Sequence, residues 1–140
     1  MGVIEPIESS EWLAPIVLAR KTDKSLRLCV DLRSLNNNIW VDRQALPNIN
    51  EMLLTMNGAS IYTSLDMSAA YHQVVLHEES RHLTSFVTPD GAFRYVRMPF
   101  GLASASAVFQ RIMDNIFKGI PGVLYFQDDI LVYGKNELEH

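Results

Sequence analysis

From Leu26 to Leu32 apolar and polar residues alternate strictly, with Leu26, Leu28, Val30 and Leu32 on one side and Arg27, Cys29 and Asp31 on the other. That two-residue period marks a strand with one buried face. A strand-like run over residues 14–20 precedes it across a polar TDKS turn, so the two form a hairpin that carries Lys21, Lys24 and Arg27 outward. The period then changes. Ile49, Met52, Leu53 and Met56 stand three and four residues apart, the stripe of a helix over 48–56. Asn48 is its N-cap, Glu51 completes a capping-box pattern, and Asn57-Gly58 ends it. Strands are expected at 61–67 and 74–76, with one helical turn at 68–71 between them. Phe86-Val87 and Phe93, Tyr95 and Val96 flank Pro89-Asp90-Gly91 as a second hairpin. Ala105, Val108, Phe109, Ile112, Met113, Ile116 and Phe117 predict a helix over 105–118, with Gln110, Arg111, Asp114, Asn115 and Lys118 on its other side. The pattern closes with GVLYFQDDILVYG: strand, two aspartates, strand. Strands, hairpins and two supporting helices without a strand–GxGxxG–helix unit read as an α+β fold, not a dinucleotide-binding one.

Composition narrows the classes. With 48% hydrophobic and 20% charged residues the chain is too apolar for a disordered segment. No apolar run approaches the ~20 residues of a membrane helix. The first residues, MGVIEPIESSEW, lack the basic stretch of a signal peptide. One cysteine, Cys29, excludes an internal disulfide and a thiolate zinc cluster, and His72, His77 and His82 lack zinc-site spacing. A net charge of −4 argues on average against nucleic acid, but residues 20–43 carry six basic side chains against three acids. The acidic excess lies elsewhere, in part at Asp128-Asp129.

Those two aspartates sit between apolar runs, Val123 to Phe126 and Ile130 to Tyr133. Carboxylates in that setting are solvated at a turn, hydrogen-bonded or neutralised by a cation, and Gln-Asp-Asp also suits a plain turn. A metal site needs a further carboxylate. Asp66, within the strand-like SLDM, supplies one if its strand lies beside the Asp-Asp hairpin. Neighbouring strand residues face opposite ways, so Asp128 and Asp129 share such a site only if the turn breaks the alternation. Hard oxygens of this kind suit magnesium, which completes its shell with water and phosphates.

Five blocks in order carry a family resemblance: WLAPIVLARKTDKSLRLCVDLRSLNN (12–37), ALPNINEML (45–53), SLDMSAAYHQV (64–74), FRYVRMPFGLASASAVFQRIMD (93–114) and YFQDDILVYG (125–134). Together they resemble the amino-terminal part of a reverse transcriptase of the gypsy-type long-terminal-repeat retrotransposon family. The resemblance implies polymerase-type fingers and palm, with residues 12–60 mainly fingers and 61–140 palm carrying a fingers insertion near 78–100. It implies catalytic, metal-binding Asp66, Asp128 and Asp129, the Met67 backbone carbonyl as a further ligand, and two Mg²⁺ ions or Mn²⁺ in their place. Lys21 and Arg27 would hold the incoming triphosphate, and Tyr71 would lie beneath its sugar and exclude a 2′-hydroxyl. Phe100 and Gly101 would line the nucleotide pocket and template path, and Asp31 and Arg33 would support the template. His72 is expected to be structural or a pocket wall.

Two residues depart from the family pattern. Phe126 replaces the tyrosine of Tyr-x-Asp-Asp, which bears on primer positioning, and Ser106 replaces a helix-opening proline. The implied partners are an RNA or DNA template with primer and dNTP, together with the thumb, connection and RNase H regions of a parent polyprotein, and no membrane. The implied setting is intracellular: cytoplasm, element particle or nucleus. On the same resemblance, residues 1–140 are expected to be an incomplete reverse transcriptase domain, truncated before the end of the palm. Two rivals stay open, an inactive remnant that at most binds nucleic acid and another palm-type enzyme such as a nucleotide cyclase. The fingers block at 18–37 and MPFGL argue against the cyclase.

Overall fold

The computed structural model describes residues 2–20, 24, 26–41 and 47–140, with Leu26, Arg27 and Leu28 as backbone only. Lys21 and nearly all of the TDKS turn lie outside the described residues, as does Arg43. The rest is α+β, as the pattern predicts, and divides into two compact units, each assembled from two stretches of chain: 1–41 with 71–105, and 42–70 with 106–140.

Among the described residues the first unit holds five strands. β1 (Ile4–Ile7), β5 (Phe86–Thr88) and β6 (Gly91–Tyr95) form an antiparallel sheet in the order β1-β6-β5, while β2 (Ile16–Arg20) and β3 (Leu26–Val30) form the expected hairpin. The predicted strand over 14–20 starts two residues late. Pro15 has no N–H to give a ladder, and Ala14 makes instead a single parallel bridge to Phe86. The segment expected as a strand at 74–76 likewise contributes only a bridge, Val75 to Arg97. α1 (Arg33–Asn36) and a 3-10 stretch over Glu78–Thr84 complete the unit. Its core gathers Val30, Leu32, Leu35 and Phe86, with Trp12, Ile16, Leu83 and Tyr95 packed around them. The buried face predicted from the alternation at 26–32 is seen at Val30 and Leu32.

In the second unit β4 (Ile61–Asp66), β7 (Val123–Phe126) and β8 (Asp129–Gly134) form an antiparallel sheet in the order β4-β8-β7. α2 (Ile49–Thr55) opens as expected, the Asn48 side chain accepting a hydrogen bond from the Asn50 N–H. Glu51 closes the box on the Asn48 side-chain amide at 3.3 Å, not on its backbone. α3 (Ala105–Phe117) buries Phe109 and Met113 and packs Phe117 at a tilt against Tyr125 of β7, 5.6 Å between ring centroids. Gly122 leads into β7 at φ +71°, and a Cβ there would meet the Tyr133 carbonyl at 2.7 Å. Both the backbone and the close approach therefore require glycine.

Phe86 is 1% exposed and stacks near Phe93 and Tyr95. Phe86→Ala should destabilise the first unit by about 3–5 kcal/mol through lost burial and an unfilled cavity. Urea unfolding followed by Trp12 fluorescence would measure it, and a change under about 1 kcal/mol would contradict this view of the core.

Candidate functional site

The β4–β8 ladder pairs Leu65 with Ile130 and Asp66 with Asp129, and the Met67 N–H donates to the Asp128 carbonyl at 3.0 Å. Asp66 ends β4, Asp129 opens β8 and Asp128 lies in the turn between β7 and β8, so all three aspartates reach the same end of one sheet. This is the convergence the sequence requires of a cation site. It stops short of a closed cage: among the described residues no three acidic, histidine or cysteine side chains surround a common point. None of the three aspartates joins an ion pair among the described residues. Like charges directly opposite across a ladder repel, and hard carboxylate oxygens without a cationic side chain suit a divalent ion. The donors are thus of the kind a divalent ion takes, without enclosing a common point among the described residues. An open apolar recess of about 300 Å³ adjoins Asp129, lined also by Met52, Leu53, Ser64, Phe126 and Leu131.

The turn explains how neighbouring aspartates can serve one end of the sheet. Phe126 pairs with Asp129, leaving Gln127-Asp128 as a two-residue hairpin loop, and Gln127 has φ +54°. A positive φ at the first central position alone is the pattern of a type II′ turn, where glycine is usual. A non-glycine residue there costs about 1–3 kcal/mol and persists only when its surroundings hold it. Gln110 is what holds it. Its side chain is fully buried, and its Oε1 accepts from the Gln127 N–H at 2.9 Å while its Nε2 donates to Asp114 Oδ1 at 3.1 Å. The helical pattern places Gln110 on the polar side of α3. Arg111, Asn115 and Lys118 of that side are exposed, while Gln110 turns its amide inward because a partly buried N–H at an irregular turn needs an acceptor. Burial raises the Tyr125 hydroxyl above its ordinary pKa, and the charge of Asp114, to which it hydrogen-bonds, raises it further.

Several predicted residues meet in the first unit. The rings of Tyr71 and Phe100 lie 5.0 Å apart, and His72 meets Phe100 edge-on at 5.2 Å. His72 Nδ1 is 3.2 Å from the Met98 carbonyl. Arg97 donates to the carbonyls of His72 and Gln73, bracing the 3-10 turn over Ala70–Gln73. Phe100 is 53% exposed, and Gly101 beside it turns at φ +91°. Asn36, which carries no signal of its own in the sequence, clamps that turn: its Nδ2 donates to the Gly101 carbonyl at 2.8 Å and its Oδ1 accepts from the Ala103 N–H at 2.9 Å. The structure leaves the Arg27 side chain undescribed.

Asp31 and Arg33 pair closely: Nε donates to both carboxylate oxygens at 2.9 and 3.1 Å, and a terminal nitrogen reaches Oδ2 at 2.6 Å. These bonds, with one from the Arg33 backbone N–H, lower the Asp31 pKa from 3.8 to about 2, and in return they raise that of Arg33. Because the folded value lies below the unfolded one, the pair's contribution to stability is complete above pH 3.8 and is lost as pH falls through about 2. Arg33→Leu should return the Asp31 midpoint toward 3.8, as read from its carboxyl carbon resonance; an unchanged midpoint would assign the shift to another cause.

Gln127→Gly removes about 1–2 kcal/mol of left-handed strain and adds about 0.5–1 kcal/mol of unfolded-chain entropy. The net expectation is a gain of up to about 1.5 kcal/mol, visible as a raised thermal midpoint, with a fall in midpoint counting against the strain assignment.

A profile of the family described as reverse transcriptase (RNA-dependent DNA polymerase) matches residues 19–140. An uncharacterized protein of Caenorhabditis elegans is 38% identical over the whole chain, and the Pol polyprotein of the Drosophila melanogaster transposon gypsy is 34% identical over 99% of it. The chain spans 11% of the first relative's length and 14% of the second's. The crystal structure of the prototype foamy virus protease-reverse transcriptase superposes on 99% of the chain with a TM-score of 0.84 at 25% identity, the match taking in 18% of that protein. The α+β arrangement expected for fingers and palm is the one this likeness supports. No helix among the described residues is long and apolar enough to cross a membrane.

Proposed function

Because this chain belongs to the reverse transcriptase (RNA-dependent DNA polymerase) family, we propose that it supplies the fingers and the catalytic part of the palm to an enzyme that extends a primer on an RNA or DNA template. The observation that carries the reading is the pairing of Asp66 with Asp129, which sets the two carboxylates opposite each other with Asp128 in the adjoining turn. In this reading the primer 3′-hydroxyl attacks the α-phosphate of a dNTP and pyrophosphate leaves. Asp66, Asp128 and Asp129, with the Met67 carbonyl, would hold two Mg²⁺ ions. When bound, these ions favour deprotonation of the attacking hydroxyl and neutralise the leaving group.

The remaining roles belong to side chains of the chain itself. Tyr71, held against Phe100, offers a flat wall to the sugar of the dNTP, where an added 2′-hydroxyl would collide with it. Lys21 and Arg27 bind the triphosphate, the planar guanidinium suiting paired phosphate oxygens. Asp31 and Arg33 stiffen the region under the template, with Gly101 along its path. Phe126 keeps a ring beside the primer end but lacks the hydroxyl of the usual tyrosine. Template and primer are gripped mainly through phosphates, so affinity falls as salt rises. The parent polyprotein supplies thumb, connection and RNase H regions, and the reaction takes place inside the cell, in the cytoplasm, the nucleus or an element particle.

The test is Asp66→Asn and Asp128→Asn in the full-length polyprotein, assayed for RNA-templated primer extension with circular dichroism as a folding control. Each variant should lose extension while keeping its fold. Template-dependent synthesis by either would defeat the assignment.

A further inference from the structure

Gln110 can hold the Gln127 N–H only with its carbonyl end, and the two ends of a glutamine amide have nearly the same shape. A second partner must therefore decide which end faces the turn. One helical turn along α3, Asp114 presents a carboxylate, whose oxygens accept hydrogen bonds. Only the NH₂ end of Gln110 can face it, and it does so at 3.1 Å, leaving Oε1 for Gln127 at 2.9 Å. Reversal would put a carbonyl against a carboxylate and an NH₂ against an N–H, losing both hydrogen bonds of a fully buried amide. Asp114 is itself steadied by the hydrogen bond with Tyr125, on the strand that leads into the turn.

We infer that Asp114 is a positioning residue: it locks the polarity of the Gln110 amide, which anchors Gln127 in its left-handed conformation and so sets the heading of Asp128 and Asp129. The inference deepens the polymerase reading and rests on it for any effect on catalysis. The lock itself stands on the hydrogen bonds alone. Its parts come from α3 and from the β7–β8 hairpin, and Asp114 lies on the helix, not on the strands and turn that carry the three aspartates.

Two measurements separate the lock from the polymerase reading. The first is backbone amide hydrogen exchange at Gln127 in the 140-residue chain, with the amides of Ile130 and Leu131 as folding controls. Asp114→Leu and Gln110→Glu should each speed Gln127 exchange by about tenfold or more, the loss of about one net hydrogen bond. Asp114→Asn should stay close to wild type, because its amide oxygen still accepts from Gln110. The decisive case is the exchanged pair Gln110→Glu with Asp114→Asn. In that pair the amide introduced at position 114 would donate to one oxygen of the carboxylate introduced at position 110. The other oxygen would accept from the Gln127 N–H, restoring protection that Gln110→Glu alone removes. A residue that merely fills space would give no such rescue.

Unchanged Gln127 exchange in Asp114→Leu with native controls would overturn the proposal, and so would a double variant no better than Gln110→Glu. If Asp114→Leu fails to fold, the exchanged pair still decides. The second measurement is primer extension by the full-length polyprotein. The single changes that free the amide should lower kcat while KM for dNTP stays within about twofold, since they leave ground-state binding alone. A lock upheld by exchange but without effect on extension would count against the roles given to Asp128 and Asp129 and leave the lock standing.

Discussion

Antiparallel pairing of β4 with β8 sets Ser64 against Leu131, Leu65 against Ile130 and Asp66 against Asp129, and the chemistry of the second unit depends on that register. Side chains alternate with a period of two, so a slip of one residue would turn the outward set inward and replace Asp66 by Leu65 opposite Asp129. The ladder is pinned at both ends, by Ser60 N–H to the Gly134 carbonyl and by Met67 N–H to the Asp128 carbonyl, each at 3.0 Å. Ile130, 9% exposed, makes the same choice from the apolar side. One set of backbone bonds thus specifies core and carboxylates together, and packing forces resist any register that would separate the acids.

At the hairpin the order of cause is reversed, since local preference is overruled by a distant side chain. Glycine would take the positive φ of Gln127 without strain, yet the position carries a side chain and depends on an amide seventeen residues away in sequence. Burying that amide costs little only because both of its ends are bonded. The first unit repeats the logic with Asn36, whose two amide ends satisfy the backbone on either side of Leu102 and hold the turn next to Phe100. In both places a buried or half-buried carboxamide does for irregular backbone what a ladder does for a strand.

Periodicity makes most elements legible: the 26–32 alternation, the Asn48 cap, the Pro89-Asp90-Gly91 turn and the stripe of α3 are local signals, and each corresponds to an element close to its predicted position. The acids at the hairpin are legible because carboxylates between apolar runs demand compensation. Features that depend on partners far along the chain are not. β1 escapes the pattern because Pro6 reads as a strand breaker; only pairing with β6 reveals it as an edge, where a missing N–H is tolerated. Gln110 falls to the solvent side because an amphipathic pattern ranks glutamine as polar and cannot see a turn that lacks an acceptor. Side-chain geometry also limits what spacing implies: pairing brings Asp66 and Asp129 opposite each other, while closure of a three-carboxylate cage is not a property of the described side chains.

The docking of β1 has a consequence for the order in which the chain acquires its structure. Ile4 pairs with Tyr95, and Glu5 accepts a 2.7 Å bond from Arg94 with Arg81 at 4.0 Å. The pairing strand does not exist until some ninety residues have followed, which at about 5–20 residues per second is a wait of roughly 5–18 s during synthesis. The intervening stretch also contains part of the second unit, so neither unit can close before the other has begun. Through that interval Ile4 and Ile7 belong to an unpaired segment, and Pro6 between them discourages its pairing with a neighbouring chain. The proline that hides β1 from a reader of the sequence would then also keep this waiting segment from associating with the wrong strand.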